Sequence, residues 1–314
     1  MTSRAKHLTW SAALLAALLL CLPLGSLATV TGQAPPARKA MTLTQGVILG
    51  VVEGLTEYLP VSSTAHLLLT QNLMGIGKSG LEKDAGDSYQ IVIQAGAILA
   101  VLWLYFPRVK SVVLGLFGRD PWGLRMLINL LAGFVPAAVI GLTFEKHIKH
   151  YLFGMKPIVF AWFVGGLAIL LVSWLKKPDP TKPRYNLDTL QWKQALVIGF
   201  AQCLAMWPGT SRSLVTLLGG LAVGLTLGAA VEFSFLLGLL TLSASTLLDA
   251  VKFGSAIFHQ YGWQSPLLGM VMAALSAALA VQWMVRYLQR HPLAVFGYYR
   301  IALALGTAVV LLWT

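Results

Sequence analysis

Charge is scarce in this 314-residue chain: 11% of its residues are Asp, Glu, Lys or Arg, against about 25% in a soluble globular domain. With 57% of residues hydrophobic, too little polar surface exists to coat a water-soluble body of this size, which excludes a soluble enzyme. Acids are the rarer sign, 11 against 23 Lys and Arg, for a net charge of +12. Loops flanking membrane spans account for that excess, so it does not imply a nucleic-acid partner. Only two cysteines occur, Cys21 and Cys203, both in apolar surroundings; they form neither a Cys-x-x-Cys pair nor a disulfide framework. His7, His66, His147, His150, His259 and His291 lack metal-ligand spacing, and no dedicated zinc site is expected.

Long apolar runs are abundant. Residues 8–28 follow Arg4 and Lys6 with Leu and Ala and end at Ser26-Leu27-Ala28, the layout of a secretory signal peptide or of an extra first span. A Pro-rich linker follows to residue 40, and the membrane domain is expected over 41–314. Runs at 91–107, 123–143, 157–175, 233–251, 266–288 and 293–313 are each near the ~20 residues that cross a bilayer core. The expected architecture is an all-α polytopic membrane protein with about six spans. If residue 40 lies outside, 108–122 and 176–193 fall inside with most of the basic loop residues, a modest positive-inside bias.

Two further apolar stretches, 43–74 and 194–224, are broken by Pro60-Val61-Ser62-Ser63-Thr64 and Pro208-Gly209-Thr210-Ser211-Arg212. Lipid cannot satisfy the backbone groups that such breaks free, so both stretches read as re-entrant helix–loop–helix elements. Gln45 to Glu53 also aligns with Gln194 to Gln202 and, after a one-residue gap, Pro60 meets Pro208. An inverted repeat with halves near 41–176 and 190–314 is expected, with a polar site where its breaks meet.

Four acids lie in or beside apolar runs: Glu53, Glu57, Glu232 and Asp249. Glu53 and Glu57 are four apart, on one helix face. They need either a cation to stay ionised or a neutral, hydrogen-bonded state; hard oxygen ligands suit Mg²⁺ or Ca²⁺. Ser62-Ser63-Thr64-Ala65-His66 adds hydroxyls, a nucleophile and an imidazole, and a helix starting near Ser63 would aim free N–H groups at an anion. Arg212, among Gly209, Ser211, Ser213 and Thr216, supplies a fork that matches phosphate oxygens. Together these residues read as a phosphate site for an amphiphile with a lipid tail. Glu232 reads as a helix cap, and Arg300, inside the last span, as a snorkelling or structural residue.

Glu53-Gly54-Leu55-Thr56-Glu57-Tyr58-Leu59-Pro60-Val61-Ser62-Ser63-Thr64-Ala65-His66 and Pro208-Gly209-Thr210-Ser211-Arg212-Ser213-Leu214-Val215-Thr216 resemble the two signatures of the undecaprenyl-pyrophosphate phosphatase family. Ile93-Gln94-Ala95-Gly96, Glu232-Phe233-Ser234-Phe235 and Phe296-Gly297-Tyr298-Tyr299-Arg300-Ile301 extend the resemblance from about residue 41 to the C-terminus. It implies hydrolysis of undecaprenyl pyrophosphate with a divalent cation, at a site opening to the outer side of a bacterial inner membrane. That reaction recycles the lipid carrier of peptidoglycan synthesis and confers bacitracin resistance. It further implies that Glu53 and Glu57 hold metal and that Arg212 binds pyrophosphate. Ser63 and His66 would be nucleophile and acid–base partner in one order or the other, while Ser62, Thr64, Gly209, Ser211, Ser213 and Thr216 contact substrate. A homodimer is compatible with this.

The chain departs from the family pattern at Ala65 and Leu214, where glycine is usual, at Leu227, where arginine is, and at Leu239-Leu240, where an Ile-Pro pair is. The rival reading is a polyprenyl-phosphate transporter or flippase, because broken helices in inverted repeats also serve transport.

Overall fold

The computed structural model describes residues 41–76, 80–175 and 185–313, and side chains within these ranges except 80–88, 145–147, 149–150 and 252–261. The leader expected over 1–40 and the basic segment 176–184 lie outside the described residues. Eleven α-helices occur among those described: α1 (Leu43–Thr56), α2 (Ser63–Leu73), α3 (Gly80–Leu104), α4 (Phe106–Leu116), α5 (Pro121–Leu152), α6 (Met155–Leu175), α7 (Trp192–Cys203), α8 (Arg212–Ala222), α9 (Leu227–Tyr261), α10 (Gln264–Leu288) and α11 (Ala294–Trp313).

Five of these helices are long and apolar enough to cross a membrane singly, and the bent pair α3–α4 makes a sixth. The chain is a polytopic α-helical membrane protein. On α5, Leu131, Val135, Val139 and Leu142 line one face and are 43–70% exposed; among helices this apolar, lipid is the medium that covers such a face. The span expected at 91–107 ends sooner, at Leu104, and turns through 84° into α4. Pro107 lies in the first turn of α4, where it needs no intrahelical partner; continuing α3 would drive its ring into a carbonyl one turn back. The helix of α5 runs on through Pro136 to Leu152, well beyond the span end expected at 143.

The helices α1, α2, α7 and α8 have 14, 11, 12 and 11 residues, and at 1.5 Å per residue each falls short of the ~30 Å hydrocarbon core. They are the two broken elements. The structure corrects their alignment: equivalent positions are 149 residues apart throughout, with no gap. Thr42 N–H donates to Gln45 Oε1 at 2.9 Å, and Gln191 N–H to Gln194 Oε1 at 3.0 Å. Ser62 (φ 73°) and Ser211 (φ 77°), each preceding a helix, are the only non-glycine residues at positive φ among those described, and Gly75 and Gly224 repeat the match after α2 and α8. Pro60 therefore corresponds to Gly209, not Pro208, and Ser63 to Arg212.

Packing partners exchange in the same manner. The helix α1 lies along α10 as α7 lies along α5, while α3 packs on α9 and α6 on α11. Gly50 of α1 meets the backbone of Gly269, and Gly199 of α7 that of Gly133, so closely that a β-carbon would collide at either. The core gathers around α9, whose Phe233, Phe235, Leu236 and Leu237 are buried. One expectation is refined here: Glu232 pairs with Arg108 at 2.7 Å. Arg108 in turn stacks 4.8 Å from the Trp122 ring centre.

Candidate active site

The two breaks face each other across a cavity of about 160 Å³, lined by Glu57, Ser62, Ser63, Thr64, Gln94, Ala205, Pro208, Gly209, Ser211, Arg212 and Leu242. Ser62 and Ser211 precede the N-termini of α2 and α8, and helix starts leave N–H groups without intrahelical partners. Both helix dipoles thus favour an anion in this space. Holding serine at these φ values costs on the order of 1–3 kcal/mol each, a strain repeated at matched positions on both sides of the cavity.

Three groups meet directly. The Ser63 hydroxyl donates to Glu57 Oε2. Arg212 Nη2 donates to Glu57 Oε1 at 3.3 Å, and its Nη1 to the Ser234 carbonyl at 3.1 Å. The guanidinium lies 5.6 Å from the centre of the Tyr58 ring, an additional cation–π hold. Glu57, Ser63 and Arg212 are all about nine-tenths buried or more, and removing one partner of such a buried pair typically costs about 3–5 kcal/mol.

The other expected residues stand around this centre. Thr64, Ser62, Gly209 and Ser211 line the cavity with it. Ser213 and Thr216 do not; they build its wall. The Ser213 hydroxyl donates to the Leu59 carbonyl at 2.7 Å, and Thr216 donates to the Arg212 carbonyl at 2.8 Å. His66 is not the partner of Ser63. Its Nδ1 is 2.7 Å from the Ser62 carbonyl and its Nε2 2.8 Å from the Tyr299 hydroxyl. A carbonyl only accepts, so Nδ1 carries a proton, and in the neutral imidazole Nε2 accepts from the Tyr299 hydroxyl. With both nitrogens committed, the imidazole holds the break rather than facing the cavity.

Glu53 is buried behind the cavity, with Oε2 lacking a hydrogen-bond partner among the described residues. An orphaned carboxylate oxygen on the face that carries Glu57 fits a divalent cation. No group of three His, Cys, Asp or Glu side chains gathers there among the described residues.

Gln94, in the segment Ile93-Gln94-Ala95-Gly96, lines the cavity although nothing in its sequence context marks it as a site residue. Its Oε1 accepts from Thr246 at 2.9 Å, leaving the amide nitrogen as its donor to the cavity. Ala65 and Leu214, two of the departures from the family pattern, occupy the same place in the two repeats and are both buried.

A membrane-embedded cavity joining a hydroxyl, a carboxylate and a guanidinium at two helix starts defines a polytopic membrane protein built to hold a phosphorylated group. Residues 46–306 match the family described as "Bacitracin resistance protein BacA", and the chain belongs to that family. It is 44% identical over 258 residues to the undecaprenyl-diphosphatase of Sorangium cellulosum, covering 82% of each chain. Undecaprenyl-diphosphatase 2 of Rhodospirillum rubrum is 46% identical over 265 residues, 84% of this chain and 93% of the relative. The undecaprenyl-diphosphatase of Nitrosospira multiformis is 42% identical over 272 residues, 87% and 94% of the two chains.

Proposed function

We propose that this chain is an undecaprenyl-diphosphatase, hydrolysing undecaprenyl pyrophosphate to undecaprenyl phosphate and inorganic phosphate. The carrying observation is the buried Ser63–Glu57–Arg212 contact across the two breaks, in a chain whose relatives bear that activity as their name. Ser63 Oγ attacks the terminal phosphorus while its proton passes to the Glu57 carboxylate, and the bond to the bridging oxygen breaks. Undecaprenyl phosphate leaves with that proton, which restores the Glu57 carboxylate. Water, deprotonated by it, then cleaves the phosphoseryl ester, and the proton passes from Glu57 to Ser63 Oγ as inorganic phosphate departs. Arg212 offsets the charge that the carboxylate and the phosphoryl oxygens concentrate in a dry site.

Glu53 and Glu57 would hold a divalent cation together with the pyrophosphate oxygens. When bound, it neutralises phosphate charge and turns the leaving oxygens into a better leaving group. The protein belongs to the bacterial inner membrane, with the cavity opening to the outer side; the bias of basic loop residues toward the opposite face supports this orientation.

The test is phosphate release from a polyprenyl diphosphate by detergent-solubilised protein with Mg²⁺. Wild type releases phosphate, Ser63→Ala binds the lipid without releasing any, and EDTA stops wild-type turnover. Lipid binding without hydrolysis by the wild type would instead make the chain a carrier, as the transporter reading holds. Phosphate release by Ser63→Ala at the wild-type rate would remove the serine from the reaction.

A further inference from the structure

Arg300 of α11 is fully buried, so it does not snorkel, and it is in no ion pair with a described carboxylate. Its donors go to four backbone carbonyls. Nε reaches Trp162 at 3.3 Å and Nη1 reaches Pro60 at 3.2 Å. Nη2 reaches Ala161 at 2.9 Å and Gly209 at 2.8 Å. Pro60 and Gly209 are the equivalent residues of the two breaks. Each lies three residues before a reacting group, Ser63 in one case and Arg212 in the other.

We propose that Arg300 is a positioning residue of the phosphoryl transfer, a single planar fork that fixes the spacing between the helix start carrying the nucleophile and the helix start carrying the cation. This rests on the hydrolase reading above. Burying an unpaired guanidinium is costly, yet an apolar residue here would leave the carbonyls of two broken helices without donors. The surroundings extend the same design. Consecutive carbonyls of the first break, from Leu59 to Ser62, each take a different side chain: Ser213, Arg300, Trp162 and His66. Arg300 is the one among these four that also donates to a backbone carbonyl of the second break, that of Gly209. A lysine keeps the charge but is a point donor, without the two-pronged geometry that spans both carbonyls.

The test measures kcat and KM for a polyprenyl diphosphate in detergent, with elution and thermal midpoint confirming that each protein is folded. Arg300→Lys is expected to lower kcat about 100-fold, the cost of a misplacement near 1 Å, with KM unchanged. A role in stability alone would lower the midpoint and leave kcat per folded molecule at the wild-type value. Gly165→Ala is the second variant: its added methyl would press on Arg300 Nη2 and shift the fork without removing it, lowering kcat in the same pattern. Wild-type kcat in folded Arg300→Lys, or in Gly165→Ala should Arg300→Lys not fold, overturns the proposal, as does a change confined to KM. A wild type that releases no phosphate removes the hydrolase reading itself; a wild type that turns over beside equally active variants removes this proposal alone.

Discussion

Gln94 shows how one residue can sit at the site without signalling its part. Because Thr246 occupies its carbonyl oxygen, Gln94 meets the cavity as a neutral donor, suited to a phosphate oxygen without adding to the site's charge. Gln94→Leu should raise KM about tenfold, the effect of losing one hydrogen bond to a charged group, with kcat changed less; unchanged KM would place the amide outside substrate contact. Glu57, Ser63 and Arg212 were legible because ionisable and hydroxyl groups at membrane depth are rare enough to demand a purpose. The partners of the His66 imidazole were not legible, for the opposite reason. Its nearness in sequence to Ser63 suggested a pair, whereas its partners are a carbonyl of its own break and Tyr299, 233 positions away.

Among the elements, both breaks could be read from proline and hydroxyls inside apolar stretches. Their register could not, because two prolines attract an alignment while equivalence is set by backbone angles at Ser62 and Ser211. The bend at Tyr105 was likewise hidden within a continuous apolar run. Outside the spans, Asp120 caps α5, accepting from Gly123 N–H at 3.0 Å and from the Ser111 hydroxyl of α4. The Ser111 hydroxyl first, then the Gly123 N–H, holds its carboxyl below the usual carboxylate range. The ionised form is thus favoured in the fold, and its stabilisation is present above the ordinary carboxylate value and lost as pH falls through the depressed one. Asp120→Ala should melt below wild type at pH 7, and that gap should narrow as pH falls below the ordinary carboxylate range. A gap that persists undiminished in acid would assign the effect to helix packing instead of the cap.

Across the whole molecule, the orientation proposed for the membrane can be checked chemically. With Cys21 and Cys203 replaced by serine, Ala205→Cys on the cavity wall should react in intact cells with a small, membrane-impermeant thiol reagent. Asn186→Cys should stay protected until the cells are opened. The reverse pattern would turn the cavity toward the cytoplasm. The matched geometry of the two halves has a further bearing on this cavity. Ser63 and Arg212 hold the same position of the same short helix in the two copies. Two identical copies would present a pyrophosphate with interchangeable ends, and the lipid could dock either way round. A hydroxyl at one position and a guanidinium at its twin abolish that ambiguity, so the site reads the substrate as a vector, from prenyl chain to terminal phosphate.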